Sequence, residues 1–189
     1  MSAPSRRRAA LLALMLLAGA CSAEAGEASA GGAVGAAPPQ PAPTQTTPAP
    51  PARPRVATAP DNGFGSAIAW RGLDEGLAEA AADGRPLMLL VHASWCKVCK
   101  ALKPAFFDPA LVKASEALVM VNVDQDEDPR TIRYSTDGTY VPRVMFLAPD
   151  GSIDRELQNP TRTRYHHFFS PEDDLVGAME LAVARHARK

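Results

Sequence analysis

The chain has 189 residues, with 20 Lys and Arg against 21 Asp and Glu, and a net charge of −1. That balance excludes the basic surplus that phosphate backbones require, so nucleic acid is not an expected partner. The length allows one domain or two small ones, and 18 unevenly spread prolines mark a stretch that does not fold as a core.

Taken in chain order, the first feature is a basic patch, Arg6 to Arg8, followed by the apolar run Ala9–Ala20 and the small residues of "AGAC", Ala18 to Cys21. A basic start, a short apolar core and small residues at a cut predict a secretory signal over residues 1–21. The run is too short to span a bilayer, which takes about 20 residues. Small residues before Cys21 resemble the bacterial lipobox, so Cys21 is a candidate lipidation site. The match is imperfect, because Leu17 stands four residues before the Cys and Ala18 takes the usual Leu position. Cleavage with release is the alternative. Either route predicts a bacterial periplasm or cell envelope, with a lipid anchor if Cys21 is modified, and an oxidising compartment for the remaining cysteines.

Residues 22–60 are Ala, Gly, Pro, Ser and Thr with almost nothing large. Such a stretch buries no core and is expected to be a disordered linker. Its prolines favour an extended form at ~3.1 Å per residue, suited to a tether, although a spacer without a role has the same composition.

The globular part, 61–189, is expected to begin near Asp61. "GLDEGLAEAAADGRP" predicts a helix, with Leu73 and Leu77 on one face and Asp83-Gly84 as its stop. "PLMLLVHA" (Pro86 to Ala93) is a continuous apolar run of strand length, as in a strand buried on both faces, and "LVMVNVD" (Leu118 to Asp124) reads as a second buried strand. "DPALVKASEA" predicts a short helix with Pro109 in its first turn. "VMFLAPDGSIDREL" reads as a hairpin about Pro149-Asp150-Gly151. "SPEDDLVGAMELAVARHARK" reads as a closing helix with Ser170 as N-cap and Pro171 at its first position. A short strand around Ala67 to Trp70 is a weaker signal. The order predicts an α/β fold with a central mixed sheet flanked by helices.

Between the first strand and the next helix stands "SWCKVCKALKP", Ser94 to Pro104, with Cys96 and Cys99 three positions apart. Three chemistries use such a pair. Structural zinc needs four ligands; with His92, His166, His167 and His186 there is no second pair at ligand spacing, although copper needs fewer. A static disulfide over two intervening residues restrains little of the unfolded chain. A redox pair needs a reachable, partly ionised sulfur. Cys96 at a helix start, beside Lys97 and Lys100, meets that need through the helix dipole and the two cations. Cys99, one turn further in, is placed to resolve a mixed disulfide on Cys96. Trp95 offers apolar contact beside it, or simply packs.

"SWCKVCKALKP" together with "TYVPRVMFL" resembles a thioredoxin-fold active site and its cis-proline loop. "GFGSAIAW", "VMVNVD", "STDGTYVPRVMFLAPDG" and "RYHHFFS" extend the likeness to the thioredoxin domain-containing protein 12 and anterior-gradient group, here in a bacterial exported version. The resemblance implies a thioredoxin fold, a proline at position 104 that kinks the active-site helix, a cis Pro142, and Val141 exposing its backbone to an extended substrate. Members with both cysteines are thiol–disulfide oxidoreductases. Two departures matter to the site: Leu90 stands where typical thioredoxins carry a buried acid, and Lys97-Val98 separate the cysteines. His92 is a candidate for the proton handling that the acid would perform. The chain ends "RHARK", without the retention signal of that group.

The expected function is a thiol–disulfide oxidoreductase acting on exported proteins, with Cys96 and Cys99 catalytic, Trp95, Val141 and Pro142 binding substrate, and Lys97, Lys100 and His92 tuning the sulfurs. No cofactor or metal is expected; the partners are exported protein thiols and disulfides, a membrane or periplasmic redox partner, and the membrane itself. The alternative is a non-catalytic binding module or a thiol-metal (copper) carrier. "DQDEDP" spaces Asp124, Asp126 and Asp128 like the start of a calcium loop but lacks its Gly and Glu, so it reads as a solvated loop.

Overall fold

A computed structural model describes residues 55–186. The expected signal over residues 1–21, the lipidation of Cys21 and the linker as far as residue 54 lie outside the described residues.

Four strands form one mixed sheet: β1 (Trp70–Arg71), β2 (Leu87–His92), β3 (Val119–Asp124) and β4 (Arg143–Leu147). Their order is β1-β3-β2-β4. β3 is parallel to both neighbours, and β4 closes the sheet antiparallel to β2. Every residue of β2, β3 and β4 is buried. The alternation of side chains across a strand explains why. Met88, Leu90, Met120, Val144 and Phe146 enter a core with Phe64, Trp70, Leu102 and Phe106. Leu87, Leu89, Val91, Val121, Met145 and Leu147 enter the other, with Leu73 and Ala80. This is a thioredoxin-type arrangement of a mixed sheet with helices on both faces.

Helix α1 (Leu73–Asp83) packs on the second core and stops at Gly84, whose φ of 63° is the left-handed cap that favours glycine. Gly76 faces β3 so closely that a Cβ there meets Val121 Cγ2. Helix α2 (Lys97–Leu102) passes into a 3₁₀ segment, Lys103–Phe107, at Pro104. The proline has no N–H for the next α-type bond, so the ladder changes there. Helix α3 (Pro109–Ser115) starts on Asp108, whose carboxylate accepts from the Ala110 N–H.

Three expectations meet a different outcome. Residues 55–60, read as linker from composition, are bonded to the domain. Thr58 N–H donates to Trp70 O at 2.9 Å, Arg71 Nη1 to Val56 O at 2.8 Å, and Asn122 Nδ2 to Pro60 O at 3.1 Å. The hairpin turns at Gly151, but its second arm is a single bridge, Ile153 to Leu147. Beyond it the Asp154 carboxylate is engaged by Arg185 at 2.8 Å and His186 at 2.9 Å, which draws the chain toward the last helix.

That helix, α4, spans Leu175–His186 and begins later than Ser170. The groups expected to cap it are used before it starts. The Asp173 carboxylate accepts from Ser170 N and Oγ, from Thr161 Oγ1 and from Arg162. Burial opposes its charge, but these bonds outweigh it and hold the carboxyl well below the usual range. Asp174 then takes the Gly177 N–H at 2.8 Å, the bond of an N-cap.

Candidate functional site

β2 ends at His92, the chain turns through Ala93–Trp95, and Cys96 is the N-cap of α2. Its Sγ accepts the Cys99 N–H at 3.0 Å. The two cysteines are disulfide-bonded, with Cα atoms 5.2 Å apart. On reduction, the N–H groups of this helix start and the positive end of its dipole favour a thiolate on Cys96. Lys97 and Lys100 lie exposed on α2, where solvent screens their effect.

The sequence requires a reachable outer sulfur, and the opening is narrow. Cys96 is 5% exposed and Cys99 1%. Cys96 is covered because the turn packs it against Ala93 and Val141, with Val141 O 3.7 Å from its Sγ. The order of exposure still separates the two roles. The rim is apolar: Trp95 is 61% exposed and Val98 41%. Trp95 Nε1 donates to Asp126 Oδ2 at 2.7 Å, which fixes the indole in place.

The Val141–Pro142 peptide bond is cis. Pro142 is buried and Val141 half-buried against the cysteine pair. Cys96, Cys99, Trp95, Val141 and Pro142 are therefore brought to one end of the sheet.

His92 lies on the core side, level with Asp124 in the β2–β3 register. It is buried, with its ring 5.0 Å from that of Phe64. Nδ1 is 3.8 Å from Asp124 Oδ2, too long for a hydrogen bond; Nε2 has no partner among the described residues. Burial pushes its imidazole below the ordinary value; Asp124 and Asn122 pull it up, and Lys103 pushes it further down. His167, also buried, is lowered by burial, with Asp137 opposing and His166, Arg143 and Arg155 adding to the fall. Leu90, at the position of the absent acid, is fully buried in apolar core.

These two rings set a pH dependence. A histidine held neutral by burial binds fewer protons folded than unfolded once the pH drops below about 6.5. Stability is therefore level above that pH and declines below it, down to each folded pKa. The slope is at most about 1.4 kcal/mol per pH unit for each ring. The depressed carboxyl of Asp173 acts only lower, where unfolded aspartates protonate near about 4. Urea unfolding at pH 7.5, 6.5 and 5.5 is expected to show this decline; a level profile would mean that both rings protonate freely in the fold.

Residues 69–149 match the thioredoxin-like family. Over 130 residues the chain is 32% identical to anterior gradient protein 2 of Xenopus tropicalis, an alignment covering 67% of this chain and 77% of that protein. This chain belongs to the thioredoxin-like family. A second relative, anterior gradient protein 3 of Xenopus tropicalis, is 32% identical over 114 residues, covering 59% of this chain and 68% of the relative. Among solved structures, a thioredoxin from Thermus thermophilus superposes with a TM-score of 0.50 at 22% identity, covering 64% of this chain and 91% of that one. At that identity the likeness speaks to the fold alone.

Within this thioredoxin-like site, sequence reasoning missed Asp126, Tyr140, Asp137 and Arg143. Asp126 lay in an acidic run that reads as solvated. Tyr140 and Arg143 stood inside "DGTYVPR", but nothing in composition or spacing says that an arginine after a proline turns inward.

Proposed function

We propose that this domain is a protein thiol–disulfide oxidoreductase. One observation carries the reading: a Cys96–Cys99 disulfide at the N-terminus of α2, in a thioredoxin-like fold, with the more exposed sulfur accepting a helix N–H. In the reducing direction, the Cys96 thiolate attacks one sulfur of a substrate disulfide. That S–S bond breaks, the leaving sulfur takes a proton, and a Cys96–substrate disulfide forms. Cys99, deprotonated, attacks the Cys96 sulfur; the mixed disulfide breaks, and the second substrate thiolate departs and is protonated. Two electrons have passed to the substrate, and the Cys96–Cys99 bond remains. The reverse sequence installs a disulfide.

Trp95, Val98 and the main chain of Val141 form the surface on which an extended polypeptide would lie. The signal-like start of the sequence supports exported proteins as substrates and a membrane or periplasmic redox partner. A copper-carrier role would have to rest on the two sulfurs alone. Among the described residues, no three His, Cys, Asp or Glu side chains are grouped to hold a metal.

The test is equilibration against glutathione buffers of graded potential, with the thiols counted by alkylation. A single reversible two-electron transition, lost in Cys96→Ser, is the expected result. A pair that stays oxidised or reduced over the whole range would rule the reading out.

A further inference from the structure

Arg143 is 1% exposed, yet among the described residues no carboxylate lies within ion-pair distance of it. A buried guanidinium without an acid is costly to keep, so what it touches is informative. Nη1 donates to Tyr140 O at 2.7 Å, and Nη2 reaches Thr131 O at 3.4 Å. Nε has no partner. Both acceptors are main-chain carbonyls, on either side of the loop that ends at the cis bond. Pro142 has no N–H to offer this part of the chain, and the guanidinium supplies donors there.

Tyr140 pins the same loop from the opposite side. Its hydroxyl donates to the Asp137 carboxylate at 2.8 Å and accepts the His167 N–H at 3.0 Å. Asp137 in turn takes the His166 N–H at 2.5 Å. Between Tyr140 and Pro142 stands Val141, whose carbonyl is 3.7 Å from Cys96 Sγ. The residue that faces the reactive sulfur is thus bracketed: its preceding carbonyl is held by Arg143 and its preceding ring by Asp137 and His167.

We propose that Arg143 is a positioning residue for polypeptide substrates, holding the Val141 main chain at the height over Cys96 at which an extended segment docks. It touches neither sulfur. It acts through the carbonyl of Tyr140, and its effect falls on substrates long enough to lie along the loop. The inference rests on the disulfide exchange proposed above.

The test compares two second-order rate constants for the reduced protein. One is with a peptide containing a single intramolecular disulfide, the other with bis(2-hydroxyethyl) disulfide, which is too short to reach along the loop. Their ratio cancels any loss of active protein. In Arg143→Met the peptide-to-small-disulfide ratio is expected to fall roughly tenfold, the scale of one charge-assisted hydrogen bond. Arg143→Lys, which keeps one donor, recovers part of it. Tyr140→Phe, which unpins the other side, lowers the ratio in the same direction. An unchanged ratio in Arg143→Met and Tyr140→Phe, with both rates falling together, would make the arginine a stabilising residue only and overturn the proposal. A wild type that reacts with the small disulfide but never with the peptide would overturn the substrate reading itself.

Discussion

Cys99→Ser is expected to stall on its substrates as covalent complexes. Once Cys96 has attacked a substrate disulfide, the sulfur that resolves the adduct is gone, and the serine hydroxyl is far too weak a nucleophile to replace it. Non-reducing electrophoresis should show adducts that dithiothreitol releases, and catalysed reduction of a protein disulfide should fall by roughly three orders of magnitude or more, the scale of losing a covalent nucleophile. Cys96→Ser should lose turnover as fully but collect no adducts, because its remaining cysteine, Cys99, is only 1% exposed. The asymmetry rests on geometry: Cys96 is at the cap of α2 beside the Val141 carbonyl, whereas Cys99 is one turn inward. Adducts on Cys96→Ser instead would exchange the two roles.

Much of this was legible because strands buried on both faces write themselves as largely apolar runs of strand length. Leu87–His92 and Val119–Asp124 have few other ways to be satisfied. The cysteine pair was legible because its spacing and the helix start supply the chemistry together. What was not legible depends on side chains that reverse their usual habit. Arg143 is a charge in a sequence position where exposure is the ordinary outcome, and only three dimensions reveal two carbonyls waiting for it. Asp173 and Ser170 look like cap residues of α4, but they satisfy one another and Thr161 first, so the helix waits for Asp174. Arg55 to Pro60 look like linker because they hold little apolar bulk, and they are held mostly through main-chain groups, with side-chain bonds from Arg55 to Glu116 O and from Thr58 to Glu75, none of which composition displays.

The pair Phe106-Phe107 puts the same limit to a quantitative test. Both residues belong to the 3₁₀ segment after Pro104, and sequence gives no reason to rank them. With 3.0 residues per turn, neighbours in such a segment point about 120° apart, so one faces the sheet and the other does not. Phe106 is 0% exposed and Phe107 61%. The Phe106 ring is 5.2 Å from Phe64, edge to face, and 5.7 Å from Trp70. Phe64 in turn lies 5.0 Å from His92, so this cluster joins the active-site helix to the end of β2. Phe106→Ala removes a buried ring from a packed core, and is expected to cost about 3–5 kcal/mol, with the loss of the two ring contacts included. Against total stabilities of about 5–15 kcal/mol that is a large share, and the thermal midpoint should fall by roughly 10–20 °C. Phe107→Ala should stay within about 0.5 kcal/mol, as exposed substitutions do. Urea unfolding of both variants decides the matter. Equal losses would mean that the 3₁₀ segment is rotated from the orientation described, and with it the turn that carries Lys103 toward Phe64 and follows Cys99.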